Sequence, residues 1–425
     1  MRTILNFKFE FLNLLSHPLL TGSIVMIAGS NLVNFLNYLY HLVMIRFLTP
    51  PSYGELAALL SLTGLLGIAP ASLSLVIIKF VSSAKNDSEV VNLVSWFNAR
   101  VFILSLIIFT MITLFSPFIS SFLKIDNKLI IILIAVSFLF SLAALLYKSV
   151  LQGLLKFPQM IFSLFTESSF KLLLGIFFVY IGFSVAGAVA GLVIASSIGF
   201  FLSRLFIQNY LKKSLRVPNV KKMLHYSFPV LIQSISITSL YSTDIILIKH
   251  FFAPHDAGIY AVISSLGKII FFGTAPIGAV MFPLISQKQS KGKEYKKVFF
   301  LSLLLTSLIS FLVLIIYWLM PEFVIRMLNS DYLEASPLLL WYGFFITIFT
   351  ICCLYINLHL SIGRINVVYF PAIAAIIQII IIWFFHPSLF IIILASTGVA
   401  ALLLMALIIY STYGDKTYLG NSSGI

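Results

Sequence analysis

The chain has 425 residues, 60% hydrophobic and 9% charged, with 41 Phe and a formal net charge of +14. Soluble domains carry about 25% charged residues, so 27 Lys+Arg and 13 Asp+Glu cannot clothe a water-soluble body of this length. Its two cysteines, Cys352 and Cys353, are adjacent inside an apolar run, which excludes a disulfide framework and a cysteine metal site and leaves them as packing residues.

Residues 1–18 mix Phe7, Phe9, Phe11 and Leu12 with Lys8 and Glu10, unlike a cleavable leader. They read as an interfacial amphipathic lead-in, with the first span as the uncleaved targeting signal. A spanning helix needs about 20 mostly apolar residues. Twelve segments meet that scale: 19–45, 54–80, 92–115, 129–150, 159–181, 185–207, 223–250, 258–285, 298–320, 335–360, 366–385 and 389–411. The expected fold is therefore all-α and polytopic.

A charge at mid-bilayer costs roughly 2.5–3.5 kcal/mol, so polar groups inside these spans are the candidate functional residues. Span 1 carries Asn31, Asn34, Asn37 and His41 on one broad helical face, with Arg46 at its outer end. Spans 2 and 8 contain Pro70 and Pro276, each of which removes a backbone hydrogen bond and is a candidate hinge. Arg100 lies in span 3, about 12 Å from the inner end at helical rise. It is within snorkelling reach, yet its planar fork also suits a phosphate. In span 5, Glu167 precedes Lys171 by four residues, an order that favours mutual neutralisation. The alternative is a switch in which a phosphate or a coupling proton competes for one partner. Span 7 places Gln233 and Asp244 three turns apart on a shared face. Asp244 can pair with Lys249 about a turn away or bind a coupling cation. Lys268, near the middle of span 8 with no acid within four positions, is the best single candidate for a cation that meets a diphosphate. Tyr53, Trp96, Tyr226, Tyr260 and Trp341 read as interface anchors.

The placement of Lys and Arg sets orientation. The outer side holds Arg46, Lys124, Lys128, Lys249 and Arg326, the spans hold Arg100, Lys171 and Lys268, and the other nineteen of 27 fall on the inner side. Both termini are thus expected in the cytoplasm, which requires an even number of spans. The basic stretch 208–222 nearly bisects the chain, giving an expected 1–207 bundle, a 208–222 linker and a 223–425 bundle. The halves repeat. Pro50 to Gly54 matches Pro254 to Gly258 at an offset of 204 residues, and Gly67-Ile-Ala-Pro70 matches Gly273-Thr-Ala-Pro276 at 206. Six spans per half make a parallel repeat about an axis along the membrane normal, an arrangement that places substrate at the interface of the halves.

The run IRFLTPPSYGELAAL, the QGLLKFP segment at 152–158 and the block over 226–286 with STDIILIKHFFAPHDAGIYAV and APIGAVMFPLIS resemble the polysaccharide transporter family. That family includes the O-antigen flippases of the multidrug/oligosaccharidyl-lipid/polysaccharide superfamily. The resemblance implies two six-helix bundles around a central cavity that opens alternately to each side. It also implies carriage of a polyprenyl-diphosphate-linked oligosaccharide across the bacterial inner membrane. Arg100, Lys171, Lys268, Arg46 and Lys249 would then be cavity cations, and Glu167, Asp244, Asn31, Asn34, Asn37 and Gln233 polar or coupling groups. No cofactor is expected beyond a coupling H+ or Na+, and no metal. Expected partners are the lipid-linked glycan, membrane lipids and a polysaccharide polymerase or glycosyltransferases, with no nucleic acid, around a monomer. A multidrug-type cation exporter is the nearest alternative, but it calls for an acidic interior, whereas the charges inside these spans are mostly basic. A membrane glycosyltransferase or polymerase would need larger outer loops than 116–128, 250–257 and 321–334.

Overall fold

A computed structural model describes residues 18–84, 86–212, 220–290 and 294–421. The amphipathic lead-in and the centre of the 208–222 linker lie outside the described residues. In chain order the helices are α1 (Pro18–Phe47), α2 (Pro50–Leu66), α3 (Ile68–Ser82), α4 (Asp87–Leu114), α5 (Ser116–Leu123), α6 (Lys128–Gly153), α7 (Phe157–Phe178) and α8 (Ser184–Phe206). They continue as α9 (Val220–Phe251), α10 (Pro254–Ser290), α11 (Lys296–Leu319), α12 (Pro321–Arg326), α13 (Ser336–Ser361), α14 (Tyr369–Phe384) and α15 (Leu389–Asn421). No strand occurs among the described residues.

Helix starts follow local chemistry. Asn86 and Asn127 cap α4 and α6 by accepting from Glu89 N at 2.9 Å and Leu129 N at 3.0 Å. Proline occupies the first turn of α2, α5, α7, α12 and α13, where its missing N–H forfeits no helical bond.

Among the described residues, nine segments are long and apolar enough to cross a membrane. One of them, Phe157–Phe206, holds two of the predicted spans, because the chain reverses at Gly182 (φ 98°) and Ser184 (φ 47°). Glycine supplies the left-handed conformation there. The resulting α7–α8 hairpin closes tightly: a Cβ on Gly191 would stand 2.7 Å from Gly175 N, so α8 has no room for a side chain at that crossing. The chain is an all-α, multi-pass membrane protein.

The predicted second span, 54–80, is not one helix. It breaks at Gly67, whose N–H bonds Thr63 O at 2.9 Å, into α2 and α3. Pro70 therefore lies in the first turn of a new helix and not inside a continuous one. Its repeat counterpart Pro276 lies in α10, which runs from Pro254 to Ser290 without a break. The two prolines were expected to bend matching helices, and they occupy different environments.

Two compact units divide the chain. The first contains the described residues up to Leu48 together with Pro70–Ser227, and the second contains Thr49–Ala69 with Phe228–Ile425. In the first, α7 packs on α1 and α8, and α6 packs on α4 and α8. In the second, α13 is central, touching α10, α11 and α15, and α2 lies along α10. Helix α2 thus groups with the second unit although its sequence precedes the first unit's main block.

Candidate functional site

In the first unit the polar groups converge on α7. Glu167 points toward α8, where Gly199 leaves room; a Cβ on Gly199 would stand 2.9 Å from the Glu167 carboxyl carbon. The carboxylate pairs with Lys148 of α6, which is buried. Lys148 was counted with the inner loops, but α6 continues through Gly153 and carries it inside the bundle. The expected partner of Glu167, Lys171, instead donates to Asn37 Oδ1 on α1 and lies 4.9 Å above the Tyr40 ring. The Asn37 amide is fixed by its neighbours: Nδ2 donates to Val33 O at 2.9 Å and to Ser168 Oγ at 3.2 Å, so Oδ1 must face the ammonium. Tyr40 itself is anchored by its hydroxyl on Ala188 O at 3.2 Å. Two lysines and one carboxylate leave this cluster with one positive charge in excess.

The second unit has a corresponding cluster. Tyr241 and Asp244 of α9 lie at the positions of Asn37 and Tyr40 after the same 204-residue shift that aligns Pro50 with Pro254. Asp244 is fully buried. Its Oδ2 accepts from Tyr260 Oη at 2.8 Å and Tyr342 Oη at 3.3 Å, and its Oδ1 from Ile245 N at 2.9 Å. Ser264 Oγ lies 2.8 Å from the Tyr342 hydroxyl. All three groups that face the carboxylate donate to it. Lys268, one and two turns beyond Ser264 and Tyr260 on the same face of α10, acts electrostatically on Asp244 and stands 5.3 Å from the Tyr241 ring. Here one lysine faces one carboxylate.

Lys249 is not the partner of Asp244. It is buried with Nζ 3.9 Å from Glu55 Oε1 on α2. The same seat holds Tyr53, whose hydroxyl lies 2.7 Å from Ser265 Oγ and whose ring meets Tyr332 edge-on at 6.4 Å. Tyr53 and Tyr260 were expected at the membrane interface; both are completely buried and hydrogen-bonded. Helical spacing held the signal, since Tyr260, Ser264 and Lys268 recur every four residues on one face.

The remaining predicted residues are not drawn into either cluster. Arg100 is exposed and folds onto its own helix, 4.1 Å above the Trp96 ring with Nη1 donating to Trp96 O at 3.4 Å. Arg46, Asn31 and Asn34 are exposed, and Gln233 is half-buried. No three His, Cys, Asp or Glu side chains converge as a metal site among the described residues.

Residues 43–337 match the model of a family described as polysaccharide biosynthesis protein. The chain belongs to that family. No curated protein matches the chain. The chain is similar in fold to the lipid II flippase MurJ in an inward closed conformation, with a TM-score of 0.75, 14% identity, and 92% of this chain and 87% of that one covered. It is similar to an inward-facing multidrug resistance MATE transporter of the MOP superfamily at TM-score 0.74 and 15% identity, covering 93% and 98%. An outward-facing MATE transporter matches at TM-score 0.60 and 15% identity, covering 93% and 95%. The chain thus shares the fold of these membrane transporters.

Proposed function

We propose that this transporter carries a polyprenyl-diphosphate-linked oligosaccharide, an O-antigen unit or related surface-polysaccharide repeat, from the inner to the outer leaflet of the bacterial cytoplasmic membrane. The observation that carries this reading is the sign of the charge buried within the helices. Lys148 and Lys171 outnumber Glu167 in the first unit, and Lys268 faces Asp244 in the second. An interior with a net cation suits a diphosphate and repels the cations a multidrug exporter must admit. Twelve spans, with α1 and the broken α2/α3 pair completing the set and both termini in the cytoplasm, agree with the inner-side excess of basic residues. Asn31, Asn34 and Gln233 would offer hydrogen bonds to sugar hydroxyls, with the lipid tail left in the bilayer. A gradient of H+ or Na+ would drive a monomer working beside a polysaccharide polymerase or glycosyltransferases.

The test is flipping of a fluorescent oligosaccharide on polyprenyl diphosphate in proteoliposomes holding the purified chain. Protein-dependent transfer is expected, about tenfold slower in Lys171→Ala, a loss of ~1.4 kcal/mol. Arg100→Ala, held on its own helix, should stay within about twofold of the parent, under ~0.5 kcal/mol. Ethidium export with a stationary lipid would replace this reading with the multidrug one.

A further inference from the structure

Within the first unit, the ion pair between Lys148 and Glu167 decides what Lys171 can do. Glu167 and Lys171 sit one turn apart on α7, close enough for an intrahelical pair in the favoured order. The Glu167 carboxylate makes its direct contact with Lys148 of α6, and Lys171 makes its own with Asn37, so Glu167 acts on Lys171 only at a distance. Gly199 fixes that choice from the other side, by leaving the carboxylate a berth against α8 that any side chain would fill. Lys171 is left with neutral partners, an amide oxygen and an aromatic face. The counter-charge that still acts on it is Glu167, at a distance and already paired with Lys148. Lys171 and Glu167 are both half-buried, whereas Lys148 is enclosed.

We infer that Lys148 is a positioning residue: by holding Glu167 away from Lys171 it keeps the Lys171 ammonium available as the phosphate-binding group of the first unit. Lys148 itself does not touch the ligand. This deepens the flippase reading and rests on it for the identity of the ligand, a phosphate diester or diphosphate. The arrangement makes the two members of one ion pair act in opposite directions, which a purely structural salt bridge does not do.

The probe is inorganic pyrophosphate, bound to the purified full chain in nanodiscs and measured by calorimetry, with thermal melting of each variant to show that it is folded. Glu167→Gln keeps an acceptor for Lys148 and removes a negative charge, so pyrophosphate is expected to bind about tenfold more tightly. Lys148→Met frees Glu167 to neutralise Lys171, so binding is expected to weaken about tenfold, each factor being ~1.4 kcal/mol. Lys148→Met/Glu167→Gln should return within about threefold of the parent, and Lys171→Gln should abolish binding. If Glu167→Gln and Lys148→Met shift affinity in the same direction, or the folded variants all bind like the parent, the inference is overturned. The double variant keeps the test decisive should Lys148→Met alone misfold. Discs of zwitterionic lipid and discs containing phosphatidylglycerol separate the sources of the phosphate. Affinity independent of lipid charge supports a soluble or substrate-borne diphosphate, and competition by phosphatidylglycerol makes bilayer lipid the ligand of the same site. A parent chain that flips lipid-linked glycan but binds no pyrophosphate sinks this inference alone. The predicted variant pattern without any flipping sinks the flippase reading alone.

Discussion

A Gly258→Ala chain is expected to lose the seat of α2 on α10. A Cβ at Gly258 would run into the Pro50 backbone, with Pro50 Cα at 2.8 Å, and the facing Gly54 has Gly258 N at 2.8 Å from its own absent Cβ. The obstacle on both sides is main chain, so no side-chain rotation relieves it and the helices must separate. Overpacking a close-packed interior costs about 1–3 kcal/mol, and a backbone collision belongs at the upper end. The cost spreads to the neighbours, since the Tyr53–Ser265 hydrogen bond and the Lys249–Glu55 pair both depend on this spacing. Gly273→Ala is the control in the same helix, because a Cβ there meets open space. It should be neutral or stabilising by up to ~1 kcal/mol, the helix preference of Ala over Gly. Thermal melting in detergent reads the difference. Hydrogen exchange locates it: faster exchange over α2 with α13 unchanged is expected in Gly258→Ala. A Gly258→Ala chain that melts with the parent and keeps α2 protected would show that this crossing does not hold the helix.

The spans were legible because the bilayer imposes one length and one polarity on every crossing segment, and composition alone records that constraint. Even the tight reversal near residue 182 was readable as two adjacent apolar runs. What one-dimensional reading missed is pairing across helix seams. Glu167 has a lysine four residues away in sequence and another on α6, and sequence separation favours the wrong one. The choice is made by Gly199 on a third helix, which has no signature in the α7 sequence. Asp244 was likewise matched to Lys249 because they share a helix, whereas its donors come from α10 and α13. Tyr53 and Tyr260 lie close to span ends, the usual place of interface anchors, but their helices cross other helices there and bury them. The break at Gly67 was hidden by an apolar run that continues across it, since hydropathy does not register backbone direction. Glu167, Lys171, Asp244 and Lys268 stand out in the sequence because a charge in hydrocarbon is costly wherever its partner lies, whereas Lys148 and Glu55, close to span ends, do not.

Asp244→Ala is expected to be the most damaging change in the second unit outside the glycine crossing. The carboxylate is the common acceptor for Tyr260 of α10 and Tyr342 of α13, so its removal takes the acceptor from Tyr260 and leaves Tyr342 with Ser264 alone. Hydrogen bonds between membrane helices average about 0.6 kcal/mol each, which alone would make the variant mild. The larger share is electrostatic. Lys268 loses the opposing charge that acts on it, and breaking a buried charge pair from one side costs about 3–5 kcal/mol. Half-burial of Lys268 reduces that figure, so a loss of about 2–3 kcal/mol is expected. The ranking discriminates between the two contributions. Tyr260→Phe removes one hydrogen bond and should cost about 0.6 kcal/mol, while Asp244→Asn keeps an acceptor but loses the charge and should fall between. Asp244→Ala/Lys268→Met removes both charges and should regain much of the stability, as paired replacement of buried ions commonly does. Melting of the four variants against the parent checks the order. Asp244→Ala no worse than Tyr260→Phe would mean that Asp244 works only as a hydrogen-bond acceptor. Lys268 would then draw no stabilisation from the carboxylate that faces it, and the hydroxyl network alone would tie α9 to α10 and α13.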